Sequence, residues 1–396
     1  MASIRTDNVA ILSIARTPIG RYGGVFRNLS AHRLAAEAVK GAISKIGLEP
    51  DMISEVVIGS SLQGGLGGNP ARLAAYLAGI PPEIPAYTVN TVCSSGMEAL
   101  YLASRSVLAG DCRIVVAGGM ESMSNAPFLI LPKWKWGVKY SFNGEKIIDL
   151  MVHDGLTDPF TGRLLAIEAE MTAKKYGITR EMADRYAIMS HHRAAKATDE
   201  GCFRDEIVPI EVDGYTVEKD EGIRPDTNME KVSKLKPVFL EDGIITPANA
   251  SQLSDGAATL VVSSIECAEK LGIKPIARIL GFASIGLHPK NFVETPIPAV
   301  RKLLETLNMD IDDFDLYEHN EAFALATIIA AEQLGIPYEK LNVHGGAIAL
   351  GHPLAASGAR IVVTLINALK IRGLKRGIAT LCDAGGGGQA VAVELM

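Results

Sequence analysis

Cysteine is sparse in this chain and never closely paired. Its five cysteines, Cys93, Cys112, Cys202, Cys267 and Cys382, are scattered over 396 residues without a C-x-x-C pair. Odd number and wide spacing argue against a disulfide framework and against structural zinc, so no metal is expected. Free thiols persist in a reducing cytoplasm, the compartment this usage fits. Basic charge is not in excess: 39 Lys and Arg stand against 45 Asp and Glu, a formal net charge of −6. That balance excludes the basic footprint of a nucleic-acid partner, and no basic amphipathic stretch suits a membrane surface. No run of about 18 apolar residues reads as a bilayer span. The first twenty residues alternate like a strand, with Val9, Ile11 and Ile14 among polar neighbours. They lack the basic head and apolar block of a signal peptide.

What is present is a chain long enough for two or three packed domains, with 48% hydrophobic and 21% charged residues. Two stretches alternate strands with helices. The first reads as strand 55–60, helix 70–78 opened by Pro70, strand 87–92, helix 94–108 stopped by Gly110, and strand 113–117 running into Gly118-Gly119. The second reads as strand 276–283, helix 297–307, strand end 316–318, helix 321–334, strand 341–343, helix 355–371 and strand 377–382. Such alternation implies an α/β fold with parallel sheets covered on both faces. The two stretches also resemble each other around Cys93 and His352, as an internal duplication would, and chance similarity is the alternative. Between them, from about 123 to 250, lie both tryptophans (Trp134, Trp136), charged helices such as 180–197 and a loop-like charged run from 218 to 236. This reads as an insertion serving as a substrate lid.

Cys93, in Val92-Cys93-Ser94-Ser95-Gly96, stands where a strand turns into a helix. Free N–H groups and the helix dipole there would stabilise a thiolate; a small buried core residue is the plainer alternative. His352 follows a glycine-rich stretch, Gly345 to Gly351, and precedes Pro353, an active-site position unless it only bonds backbone. Cys382 ends an apolar strand before Asp383, Ala384 and four glycines. Those glycines allow close approach of a ligand or form a flexible turn. No Lys-Ser/Thr follows them, so they are not a phosphate loop. Asn320 is read at a helix N-cap, which could be its only role. A thiol nucleophile, a histidine and a second proton-transfer group are the parts of covalent acyl transfer.

Val92-Cys93-Ser94-Ser95-Gly96, Asn320-Glu321-Ala322-Phe323, the stretch Gly345 to Pro353, and Cys382 before glycines resemble, in order and spacing, the four blocks of the thiolase family. Further agreements are the segments Ala117 to Ser124, Thr246 to Ser251 and Asp255-Gly256-Ala257. The resemblance spans essentially the whole chain. It implies duplicated α/β domains with an inserted loop domain: 1–124 plus about 251–274, a coenzyme A-binding lid over 125–250, and 275–396. It implies that Cys93 carries the acyl group, that His352 takes the thiol proton and that Cys382 moves the proton at the α-carbon. Asn320 would hold a water in a first oxyanion site, and the N–H groups of Cys93 and Ala384 would form a second. Ser251, Arg224 and Phe239 match coenzyme A contacts, with Phe323 and Phe292 in the substrate pocket. Acyl-CoA and CoA would be the partners, no cofactor is required, and the chain would form a dimer or tetramer. The activity implied is acetyl-CoA acetyltransferase or 3-ketoacyl-CoA thiolase, in fatty acid metabolism.

Several positions depart from the family pattern. Leu164-Leu165-Ala166 stands where His-Met-Gly is usual, Phe292 where methionine is frequent in short-chain members, and His344 for an asparagine. Ala384 and Ala355 replace glycines; a positive φ would cost Ala384 about 1 kcal/mol. A β-ketoacyl synthase would share the fold but lacks a cysteine in the role of Cys382. A non-catalytic CoA- or lipid-binding module would be free to lose Cys93, His352 or Cys382, and all three are present.

Overall fold

The computed structural model describes residues 2–110, 113–130, 132–137 and 146–396; Cys112 lies outside them. Among the described residues, nine main strands carry the fold. Five lie in the first half: β1 (Ala2–Arg16), β2 (Glu55–Gly59), β3 (Ala86–Val89), β4 (Ile114–Ser122) and β5 (Ser254–Ser264). Four lie in the second: β6 (Ala277–Gly286), β7 (Leu316–His319), β8 (Arg376–Asp383) and β9 (Gly387–Leu395). They form one sheet in the order β7-β8-β9-β6-β1-β5-β4-β2-β3, with the short Gly20–Arg21 strand added on β5.

Outward from the β1/β6 junction, the first half runs first, fifth, fourth, second and third strand. The second half repeats this permutation as β6-β9-β8-β7, its third member reduced to a bridge between Tyr317 and Leu341. The repeated motifs around Cys93 and His352 therefore sit at equivalent points of a duplicated topology. The sheet is mixed rather than parallel throughout. Parallel pairing joins β2 to β3 and β4, and β7 to β8. The other pairs are antiparallel, because β5 follows the long insertion and β9 follows β8 through a tight turn, so neither arrives by a helical crossover.

Alternation along β1 sets the layers. Val9 and Ile11 face a core shared with helices α3 (Ser95–Ala109) and, late in the chain, Ser357–Arg372. Ala10 and Leu12 face the opposite core, with α1 (Ala31–Ser44) and α2 (Pro70–Leu77). Helices α4 (Leu165–Tyr176), α5 (Arg180–Asp199), α6 (Pro296–Leu307) and α7 (Ala324–Leu334) build a third core on the second half. The late helix is α8. Every residue from Ser357 to Leu369 is buried. The apolar stretch Leu354–Arg372 is long enough to cross a membrane, yet 89% of its most apolar window is buried inside the protein, as a core helix requires. Glycines let α3 and α8 meet at their first turns: a Cβ on Gly96 would lie 2.8 Å from the Ala355 carbonyl, and one on Gly358 2.6 Å from Met97 N.

Two of the element boundaries that differ from the sequence reading bear on the site. β4 runs through Gly118-Gly119 to Ser122, since those glycines admit neighbouring backbone instead of ending the strand. α7 begins at Ala324 with Phe323 as its N-cap, so Asn320 is not a cap. It lies in the turn after β7, where its N–H bonds Thr380 O.

Candidate active site

The turn before α3 is stitched to hold Cys93. Asn90 Oδ1 accepts from Val92 N (3.0 Å), and Val92 O accepts from Ser95 Oγ (2.6 Å) and Ser61 Oγ (3.0 Å). Val92 has φ +52°, an outlier for a β-branched residue and a store of strain next to a nucleophile candidate. From the second half, Gly351 at φ +114° turns the chain into His352, whose N–H bonds Gln252 O at 2.9 Å. Cys382 is buried at the end of β8.

The side chains fix the histidine tautomer. Ser357 Oγ lies 2.5 Å from His352 Nδ1 and 3.0 Å from Pro353 O. A carbonyl only accepts, so the hydroxyl proton goes to Pro353 O and Nδ1–H donates to Ser357. That leaves Nε2 as a bare acceptor. Asn320 Nδ2 stands 3.4 Å from it, and Asn320 Oδ1 is buried without a partner among the described residues.

Cys93, His352, Cys382 and Ala384 line one cavity of about 400 Å³, with Ser251, Phe239, Phe292 and Phe323. Leu164 and Leu165, at the family's His-Met positions, line it too, beside Met151, Leu156 and Leu354. Arg224 does not. It is exposed, and its N–H donates to His191 Nδ1. A larger cavity of about 600 Å³, edged by Lys45, Arg204, Lys274 and Lys370, contains none of these groups.

Burial dominates the electrostatics. It pushes the Cys93 thiol well above its ordinary value, with Cys382, Asp383 and Glu121 adding to the effect. The expected lowering at the helix start is thus reversed in direction: desolvation and acidic neighbours outweigh the N–H of Ala384, which bonds the sulfur. Burial and then Arg360 lower His352 to about 3, so its imidazole is neutral. Burial, then Asp383, raises Cys382 to about 12. Ala384 is absent from the described non-glycine residues with positive φ, so replacing glycine there carries no such strain.

Three contributors escaped the sequence reading. Ser357 orients His352. Glu121 accepts from the N–H groups of Ser61, Leu62 and Ala355, joining the loop after β2 to the His352 turn. Asp383 bonds Ser94 at 2.5 Å. A sequence signal existed for one: Asp383 directly follows Cys382.

The chain matches the family descriptions "Thiolase, N-terminal domain" over residues 9–266 and "Thiolase, C-terminal domain" over 273–395. It is 45% identical to an acetyl-CoA acetyltransferase of Chromobacterium violaceum, over 98% of this chain and 99% of that one. An acetyl-CoA acetyltransferase of Cupriavidus necator is 43% identical over 98% and 99%. The crystal structure of the Bacillus anthracis acetyl-CoA acetyltransferase superimposes with TM-score 0.95 at 40% identity, covering 99% of this chain and 100% of that one. A thiolase from Ascaris suum in complex with coenzyme A gives 0.93 at 40% identity, covering 98% and 100%. With both domains matched along nearly the whole sequence, the chain belongs to the thiolase family and is an acyltransferase.

Proposed function

We infer that the enzyme interconverts two acetyl-CoA with acetoacetyl-CoA and CoA, by Claisen condensation in one direction and thiolysis in the other. The observation that carries this reading is the shared cavity of Cys93, His352 and Cys382, with His352 Nε2 free to accept a proton. Cys93 attacks the thioester carbonyl as His352 Nε2 takes its proton; the CoA thiolate leaves and takes the proton of the Cys382 thiol, and the acetyl group stays on the Cys93 sulfur. The buried, unpartnered Asn320 Oδ1 suits a water that completes the first oxyanion site with His352. Cys382, now a thiolate, removes a proton from the second acetyl-CoA, whose carbanion attacks the acyl-enzyme; Cys93 leaves and recovers its proton from His352. The N–H groups of Cys93 and Ala384 receive the charge on the carbonyl oxygen, each worth about 3 kcal/mol.

Ser251, Phe239, Phe323 and Phe292 supply walls for the pantetheine arm and acyl group, and Arg224, outside the cavity, is left for the nucleotide end. The segment 125–250 acts as the lid. Phe128, Ile147 and Trp136, which are 67%, 70% and 83% exposed, favour a homo-oligomer, dimer or tetramer, that covers them. Free Cys93, Cys202, Cys267 and Cys382 suit the cytoplasm, fatty acid metabolism supplies the substrates, and no cofactor is required. The test is a thioester assay. Consumption of acetoacetyl-CoA that requires free CoA supports the reading, whereas dependence on acyl carrier protein or binding without turnover contradicts it.

A further inference from the structure

Asp383 and Ser94 each directly follow one of the two cavity cysteines, yet are 289 residues apart in the chain. Their side chains meet at 2.5 Å between Asp383 Oδ2 and Ser94 Oγ, both buried. The geometry points to Asp383 as a positioning residue: through Ser94 it ties the Cys382 segment to the Cys93 segment, and its charge controls how readily Cys93 ionises. The inference rests on the roles given above to Cys93 and Cys382.

Ser94 Oγ also lies 3.0 Å from both Thr91 O and Thr91 Oγ1. A serine has one proton to donate. If Asp383 is ionised, Ser94 donates to it and Thr91 O loses that donor. If Asp383 is neutral, its O–H donates to Ser94 and Ser94 donates to Thr91 O, so every donor in the chain has an acceptor. The carboxyl lines the reaction cavity. The N–H of Gly387 donates to it, and the charge acting on it from another element is Glu98 of α3, itself bonded to Gln389. Against it in the same cavity stand the two thiols and the neutral His352.

Burial, the largest influence, raises Asp383 to about 7, so both arrangements occur near neutrality. The ionised form makes both thiols harder to deprotonate. It also places a negative charge in the chain next to the Ala384 N–H that would receive the oxyanion. The neutral form is therefore the competent one.

The test follows the pH dependence of iodoacetamide alkylation at Cys93, mapped by peptide mass spectrometry, together with turnover, in wild type, Asp383→Asn and Asp383→Ala. Alkylation reads the thiolate directly and needs no acyl-CoA. Both variants should move its midpoint about one pH unit lower, the size of one removed charge nearby. Asp383→Asn, which still bonds Ser94, should lose less turnover than Asp383→Ala, which does not and should lose about tenfold or more. Unmoved midpoints would overturn the charge role, and equal turnover losses in both variants would overturn the tie. Shifted midpoints in a protein that turns over no acyl-CoA would support Asp383 and count against the function proposed above.

Discussion

At Cys93 both the proposed nucleophile and its proposed base rest neutral, the thiol raised by burial and His352 lowered to about 3. The proton must then move during attack, so orientation of Nε2 matters more than prior ionisation. Ser357→Ala should release Nδ1 and slow acylation by roughly 10-fold or more, read by rapid-quench acyl-enzyme formation; an unchanged rate would remove Ser357 from the account. His344, buried with its Nδ1 unpartnered among the described residues, is lowered to about 4 by burial and then Arg372. Its folded value lies below its unfolded one, so its neutral form costs nothing above about pH 6.5. Stability falls as pH drops from there toward about 4. His344→Asn should therefore gain about 2 kcal/mol on wild type by about pH 5 and nothing near pH 8, measured by denaturant unfolding at both. Cys93, His352 and Cys382 were legible because residue type and flanking glycines announced them. The acidity of Cys93 was not, because its sign depends on burial and on Asp383 and Glu121, which only the fold brings near.

Among the elements, the contact between β4 and the turn after His352 leaves least room. A Cβ on Gly119 would clash with the Ala355 carbonyl and lie 2.9 Å from Ala356 Cα. Gly119→Ala should cost about 1–3 kcal/mol and lower turnover by moving His352, measured by thermal unfolding and kcat together. Wild-type values in both would contradict this reading of the contact. Strands and helices were mostly legible from period and punctuation: Gly110 at φ +79° does cap α3, and Pro70 does open α2. The passage of β4 through Gly118-Gly119 was not, because glycine signals close approach as well as strand ends, and the approaching backbone is distant in sequence. The 341–343 strand shrank to one bridge for a related reason: three apolar residues do not reveal whether a partner edge is long enough to pair.

For the whole molecule, duplication explains why the site exists. Cys93 comes from the first half, His352 and Cys382 from the second, and α3 and α8 meet through Gly96 and Gly358 to join them. The repeat was visible in the sequence as two similar glycine-flanked motifs; the mixed strand order was not, because it depends on where the insertion returns. The exposed apolar surface of Phe128, Trp136 and Ile147 makes assembly testable at this scale. Light scattering should give the mass of two or four chains, and Phe128→Glu with Trp136→Glu should reduce it; a monomeric wild type would refute the proposed oligomer. The division of labour between the halves is tested most directly by intact mass spectrometry after mixing with acetyl-CoA. Wild type and Cys382→Ser should each gain one acetyl group, and Cys93→Ala should gain none. An acetyl adduct on Cys93→Ala, or its absence from folded Cys382→Ser, would contradict the assignment of nucleophile to one half and acid/base thiol to the other.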